Sequence, residues 1–378
     1  MSCPYVSSIC KQQFIKRNIM PPKNPFVIFD GHNDSLLGYF HPTRKTDKSF
    51  FVRNDKFDLD LPRIREGGFG GGFFAVFVPS KSGRGIKKDN PKDYVTDKGY
   101  FEPLPRALTQ NYALPIAMNV SAGLFKWEAE SKGKLKVAKT VADIEKCFEK
   151  DMVAAVLHFE GAEAIDPDLN ALDMFYRAGL RSLGPVWSRP NIFAEGVPFQ
   201  FPQSPDTGAG LTEAGKALVK RCNELGILVD LSHMNEKGFW DIARITDAPL
   251  VATHSNVHAI SPWTRNLTDK QLDAIKESDG MVGLNFAAEF LRPDGALDAN
   301  TPVDIMVQHI DYLVERLGID RVGFGSDFDG ATMPNDVKDV SKLPNLIAAL
   351  RKGGYDDESL RKITHENWLR VLRKTWKN

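Results

Sequence analysis

Cysteine is scarce. The four in 378 residues, Cys3, Cys10, Cys147 and Cys222, form no Cys-x-x-Cys pair and fall well short of a disulfide scaffold. They read as free thiols of a reducing compartment. Net charge is absent as well: 49 Lys and Arg balance 49 Asp and Glu, which removes any charge-based case for a nucleic-acid or anionic-membrane partner. A long apolar run is missing from the start. Residues 1–24 hold Lys11, Lys16, Arg17, Lys23 and the Pro21-Pro22 pair, too polar for a signal peptide or a membrane span. They are expected to form an irregular leader, with cytoplasmic residence and no membrane partner. In that setting the sequon Asn266-Leu267-Thr268 meets no glycosylation machinery. Nucleotide fingerprints are lacking too. Residues 210–216 imitate a phosphate loop, but Ala217 stands where Ser or Thr would bind magnesium. The glycine run at 67–72 precedes an apolar run, whereas a dinucleotide fingerprint follows one.

What remains is a globular composition, 42% hydrophobic and 26% charged, with ample material for a large core. Eight short apolar runs punctuate it, at 26–34, 72–78, 153–160, 180–187, 227–233, 249–254, 281–286 and 322–327. Helical periodicity separates most of them. Leu211, Ala214, Leu218, Cys222 and Leu225 step by three and four before the stop signal Gly226. Ile305, Val307, Ile310, Leu313 and Leu317 repeat the pattern, with Pro302 in the first turn and Gly318 at the end. Residues 267–276 and 356–376 are also expected to be helical. Strands alternating with helices predict a parallel sheet, and near-continuous apolar strands suit one covered on both sides. Closure into a (β/α)8 barrel over residues 25–378 is the most economical architecture; an open doubly wound sheet fits the same pattern. Residues 80–140 form an insertion after the second strand, a basic loop followed by a helix from about 108 to 128.

Chemistry collects at the ends of these runs. His32 and Asp34 close the first run, and in an extended chain residues two apart face the same side. Glu160 ends the third run, His233 the fifth, His254 the sixth and Asp327 the eighth. In a barrel these are C-terminal strand ends, the face where active sites assemble. Buried charges without a partner or a metal are strongly unfavourable, so six convergent positions point to cations. Imidazole with carboxylate suits Zn²⁺, with Mn²⁺, Co²⁺ or Fe²⁺ as other occupants. Five ligands exceed what one catalytic zinc takes, and two zinc ions sharing a carboxylate account for the number. His32, Asp34 and Glu160 would hold the first, and Glu160, His233 and His254 the second. A water between two cations becomes a metal-bridging hydroxide near neutral pH. Asp327 is left to orient it and to carry its proton to the leaving amine.

The ordered set HNDS, HFEGAEAI, DLSH, THS followed by an RN pair, and GSDFDG resembles the membrane (renal) dipeptidase family of binuclear zinc peptidases, from about residue 26 to the C-terminal helix. That resemblance implies an amidohydrolase-like barrel, two zinc ions bridged by a glutamate, hydrolysis of dipeptides and a homodimer. Glu160 matches the bridging glutamate and Asp327 the proton-transferring aspartate, while Asp329 is read as loop structure. Arg265 matches the clamp on the substrate carboxylate, a role that suits a guanidinium fork. One position departs: Trp187 stands where the animal enzymes have a histidine that contacts the substrate carbonyl. Trp brings one N–H donor and a large apolar face, and Arg189 or Asn191 is the candidate to supply the missing donor.

Other histidines are set aside. His158 is expected below the metals without ligating, His258 at the rim, and His41 and His309 in structural or exposed places; His365 has no assigned role. The leading expectation is a dipeptidase. An N-acyl amino acid deacylase or lactonase using the same metals is the alternative within hydrolases. A barrel kept as a metal-binding module without turnover is disfavoured by the complete ligand set.

Overall fold

Eight parallel strands form the frame: β1 (Ile28–Asn33), β2 (Phe69–Phe77), β3 (Val153–Glu160), β4 (Leu180–Gly184), β5 (Leu228–Val229), β6 (Val251–Ala252), β7 (Met281–Leu284) and β8 (Val322–Phe324). Each pairs with its sequence neighbour, and β8 returns to β1 through Asp30 opposite Phe324. A single parallel bridge, Asp230 to Val251, joins β5 to β6. With helices between the strands, this is a (β/α)8 barrel. The structure is a computed structural model that describes residues 26–41, 46–80, 94–96 and 99–377. The leader at 1–24, Cys3, Cys10 and the basic loop at 81–93 lie outside the described residues; Cys147 and Cys222 are buried and unpaired. Among the described residues no helix is long and apolar enough to cross a membrane.

Several strands are shorter than their apolar runs, for identifiable reasons. β4 stops at Gly184 because Pro185 has no N–H to continue the ladder. β5 and β6 keep only two residues each because a side chain takes over. Asp230 Oδ1 accepts from the backbone N–H of Ser232 (3.0 Å) and of Thr253 (2.8 Å). Asp30 does the same across β1 and β8, accepting from Ser326 N (2.7 Å) and Ser326 Oγ (2.8 Å). β2, in contrast, starts earlier than its run and absorbs most of the glycine run. A Cβ on Gly71 would lie 2.3 Å from the Ala154 carbonyl oxygen, so this close strand approach excludes a side chain.

Capping chemistry sets the helix ends. Thr212 accepts from Gly215 N at the start of Glu213–Leu225, and Gly226 ends it at φ 73°. Pro302 sits one residue ahead of Val303–Leu317 rather than inside its first turn. The expected helix at 356–376 is three pieces, Asp357–Arg361, a π-turn Lys362–Glu366, and Asn367–Thr375. This last segment delivers Trp368 into the barrel. Its ring lies 5.4 Å from Phe73 and 6.2 Å from Phe29, and its Nε1 donates to the Phe324 carbonyl (3.1 Å). Gly31 makes the room, since a Cβ there would sit 2.5 Å from the indole.

The insertion after β2 contributes a helix, Gln110–Glu130, and a strand, Leu135–Val137, that pairs with β3. It also builds a small antiparallel sheet: Val95–Thr96 pairs with Gly99–Glu102, which pairs with Phe199–Phe201 from the loop after β4. Tyr100, Phe199 and Phe201 from this sheet pack with Trp263 and Phe290 beside the C-terminal end of the barrel.

Candidate active site

The backbone at the top of β1 and β8 is cross-tied. Asp34 N donates to the Phe328 carbonyl (2.8 Å) and Asp327 N to the His32 carbonyl (3.0 Å). Asp34 stands at the start of the short helix Ser35–Phe40 but makes no capping bond, so its carboxylate is free to face inward. His32 Nε2 lies 3.5 Å from Asp34 Oδ2, 3.8 Å from Glu160 Oε1 and 4.0 Å from Asp327 Oδ1. On the other side Glu160 Oε1 is 3.0 Å from His233 Nε2 and 3.7 Å from His254 Nε2. The His32 and His254 rings stack at 3.8 Å. The structure thus gathers His32, Asp34, Glu160, His233, His254 and Asp327 around one carboxylate. His233 and Asp327 adopt left-handed backbone (φ 66° and 64°), a costly conformation for non-glycine residues.

Neighbouring hydroxyls fix the imidazoles. Thr253 Oγ1 donates to Asp230 Oδ2 (2.6 Å), so it accepts from His254 Nδ1–H (2.8 Å) and leaves the Nε2 lone pair bare. Ser188 Oγ lies 2.9 Å from His233 Nδ1, leaving that Nε2 toward Glu160. Asn285 Nδ2 donates to Asp327 Oδ2 (2.8 Å). Sequence reasoning missed Ser188, Asp230, Thr253 and Asn285. The usable signal for Asp230 and Thr253 was their place beside a predicted ligand, in the fragments DLSH and ATHS; Ser188 adjoins Trp187 in WSRP, and Asn285 in LNF has no predicted site residue beside it.

The charges do not balance within the protein. Burial opposes a proton on His32, yet Glu160, Asp34 and Asp327 outweigh it and lift the imidazole to about 10. Burial, then the Asp34 charge, pushes the Glu160 carboxyl well above its ordinary range, and burial also raises Asp327. His233 and His254 are pulled well below theirs, first by burial. Both ring nitrogens of His32, Nε2 of His254 and Oδ1 of Asp34 are buried without a hydrogen-bond partner among the described residues. Unpartnered buried donors and acceptors are expensive, and divalent cations are the partners that a mixed imidazole and carboxylate set fits. Two triads lie within ligating reach, His32–Glu160–His254 and His32–Asp34–Asp327.

The remaining candidates divide. Arg265 is buried at the edge of the cluster, donating to the His254 carbonyl (3.1 Å) and lying over the Phe290 ring (5.5 Å). Trp187 sits beside His233, ring centres 6.0 Å apart, between Phe77 and Phe199. Asn191 uses its amide to hold its own loop: Nδ2 donates to Pro185 O (2.8 Å), and Oδ1 accepts from Phe193 N (2.9 Å). Arg189 is fully buried and paired with Glu163 (3.0 Å) and the Val78 carbonyl (2.8 Å). Its guanidinium supports the Trp187 ring at 5.4 Å. His158 packs under His32 and is bonded to Ser182 Oγ (2.9 Å). Asn266 is buried with its amide bonded to Ser261 O and Phe290 O, both at 2.8 Å.

The family model for membrane dipeptidase (Peptidase family M19) matches residues 19–378. The chain belongs to that family. A metallopeptidase from Rhodobacter sphaeroides, solved liganded with a phosphinate mimic of the dipeptide L-Ala-D-Ala, is 50% identical and superposes with a TM-score of 0.89, pairing 93% of this chain with 99% of its own. An uncharacterized protein from the pqqA 5′ region of Klebsiella pneumoniae is 52% identical over 248 residues, 66% of this chain and 92% of that one. The dipeptidase tcpJ of Claviceps purpurea is 27% identical over 350 residues, 91% of this chain and 76% of that one. This M19 protein is a metal-dependent dipeptidase, a hydrolase with His, Glu and Asp clusters suited to holding metal.

Proposed function

We propose that this M19 dipeptidase is a binuclear zinc enzyme that cleaves the peptide bond of dipeptides. Glu160, flanked by His32 and Asp34 on one side and by His233 and His254 on the other, carries the reading. His32, Asp34 and Glu160 would hold one ion, and Glu160, His233 and His254 the other. Zinc, when bound, supplies a water acidified to near neutrality and polarises the amide carbonyl.

The chain's own groups do the rest. Asn285 holds Asp327 by Oδ2, so Oδ1 is the oxygen free to accept a proton and deliver it to the departing amine. Arg265 receives the substrate's C-terminal carboxylate; its burial keeps water from competing for the guanidinium. Trp187, braced by Arg189, gives an aromatic wall beside His233. The Rhodobacter relative's ligand makes L-Ala-D-Ala the first substrate to try.

The test is a panel of dipeptides, with L and D residues in the second position, beside N-acyl amino acids and lactones, on protein of measured metal content. Arg265→Ala should raise KM selectively for substrates with a free carboxylate. Equal turnover of lactones and dipeptides, or an Arg265→Ala enzyme unchanged toward dipeptides, overturns the reading in favour of the deacylase or lactonase.

A further inference from the structure

Three buried polar atoms near Phe290 lack a hydrogen-bond partner among the described residues: Nε1 of Trp263, Nε of Arg265 and Oε2 of Glu289. The Phe290 ring lies 5.3 Å from the Trp263 ring and 5.5 Å from the Arg265 guanidinium. Glu289 precedes Phe290 in the short helix Ala288–Leu291, at the end of β7, which Asn285 ties to Asp327. With Arg265 taken up by the substrate carboxylate, as proposed above, the Trp263 donor and the Glu289 acceptor are left open.

The other buried carboxylates nearby are committed. Glu163 holds Arg189, Asp230 holds Ser232 and Thr253, and Asp30 holds Ser326. Asp34, Glu160 and Asp327 belong to the metal cluster. Oε2 of Glu163 and Oδ1 of Asp34 are also without a partner, but Glu163 sits with Arg189 and Asp34 with the metal cluster, and of the three only the Glu289 charge acts on Arg265. The charges of Asp327 and Arg265 both act on Glu289. The Glu289 charge also acts on Tyr100 of the antiparallel sheet, whose ring lies 5.3 Å from Trp263.

We infer that Glu289 selects the second side chain of the dipeptide, favouring residues that bring a hydrogen-bond donor or a positive charge and disfavouring acidic ones. The inference rests on Arg265 binding the substrate carboxylate, which places the second side chain next to Glu289. A buried acceptor left unpaired costs about 1–3 kcal/mol, so a substrate that supplies a donor regains roughly ten- to hundred-fold in kcat/KM. An acidic side chain meets like charge, which adds to the discrimination. The aromatic rings of Trp263 and Tyr100 suit the aliphatic stem and charge of a lysine or arginine.

The test uses zinc-loaded enzyme and dipeptides with Ala first and Lys, Ala or Glu second, in both L and D series, assayed above neutrality so that Glu289 is ionised. Wild-type enzyme is expected to prefer Lys to Glu by about tenfold or more, and Glu289→Gln to shrink that ratio to about threefold or less with kcat on the Ala substrate little changed. A uniform fall in kcat/KM across the three substrates would mean that Glu289 only positions Arg265, and overturns the inference. If Glu289→Gln does not fold, wild type decides alone: a preference for Glu over Lys overturns it. Failure of wild type on every dipeptide would sink the dipeptidase reading itself, a different outcome from a flat ranking.

Discussion

In the lower half of the barrel, Phe29, Phe73, Leu228, Val251 and Met281 close around Trp368, whose single polar atom is bonded to Phe324. A few residues further along the same strands, His32, Glu160, His233 and His254 crowd together with unpartnered nitrogens and mutually repelling carboxylates. One half is complete in itself; the other is complete only with cations and substrate. The difference shows where stability is stored and where it is given up: apolar packing and satisfied hydrogen bonds below tolerate the strain of unsatisfied groups above. The frontier between them is polar. Asp30 and Asp230 stitch neighbouring strands at the level where the ladder ends.

The largest effect should come from emptying the upper half. Chelation is expected to abolish dipeptide hydrolysis and lower the melting temperature, with zinc restoring both; full turnover in protein shown by elemental analysis to hold no metal would contradict this. Next, Asp327→Asn should cut kcat by about 10²–10⁴-fold while leaving metal content and melting temperature near wild type. An enzyme that keeps most of its turnover removes Asp327 as the proton carrier. The lower half responds in the opposite way. Trp368→Ala should cost about 3–5 kcal/mol in denaturant unfolding, yet keep kcat at a temperature where the barrel remains folded. A loss of activity without loss of stability would show that the two halves are not separable.

The smallest effect concerns acid. His309 is buried, with Nε2 on the Leu291 carbonyl (2.8 Å) and Nδ1 accepting from Val257 N (3.2 Å). Burial pushes its imidazole from 6.5 down to about 4. Between those values the unfolded chain binds the extra proton, so folding stability falls as pH drops from about 6.5 towards 4, by on the order of 3 kcal/mol. His309→Asn should flatten the pH dependence of the unfolding midpoint in that window; an unchanged slope would assign the acid sensitivity to the metal cluster instead.

The sequence disclosed the upper half better than the lower. An imidazole or carboxylate at the end of an apolar run stands out, so Glu160, the five residues around it and the eight strands were legible. Trp368 was not, because within residues 356–376 its apolar spacing looks like that of any helix face; the π-turn that aims it inward leaves no sequence mark. The antiparallel sheet over the site escaped notice because its strands are two to four residues long, below any periodicity. Asn191 read as a donor because Asn commonly is one, but loop closure claims its amide. Glu289 lay in a stretch with no pattern, and only the folded neighbourhood of Arg265 and Asp327 gives it meaning.

Trp368 comes after all eight strands in chain order. During synthesis every strand leaves the ribosome before the residue that fills the space between them, so the growing barrel has a vacant interior until its last helix docks. Such a chain should stay open to chaperones and proteases late into translation. Ribosome-stalled chains arrested just short of residue 368 should therefore be cleaved far faster than full-length protein, and equal resistance would show that the strands close without their plug.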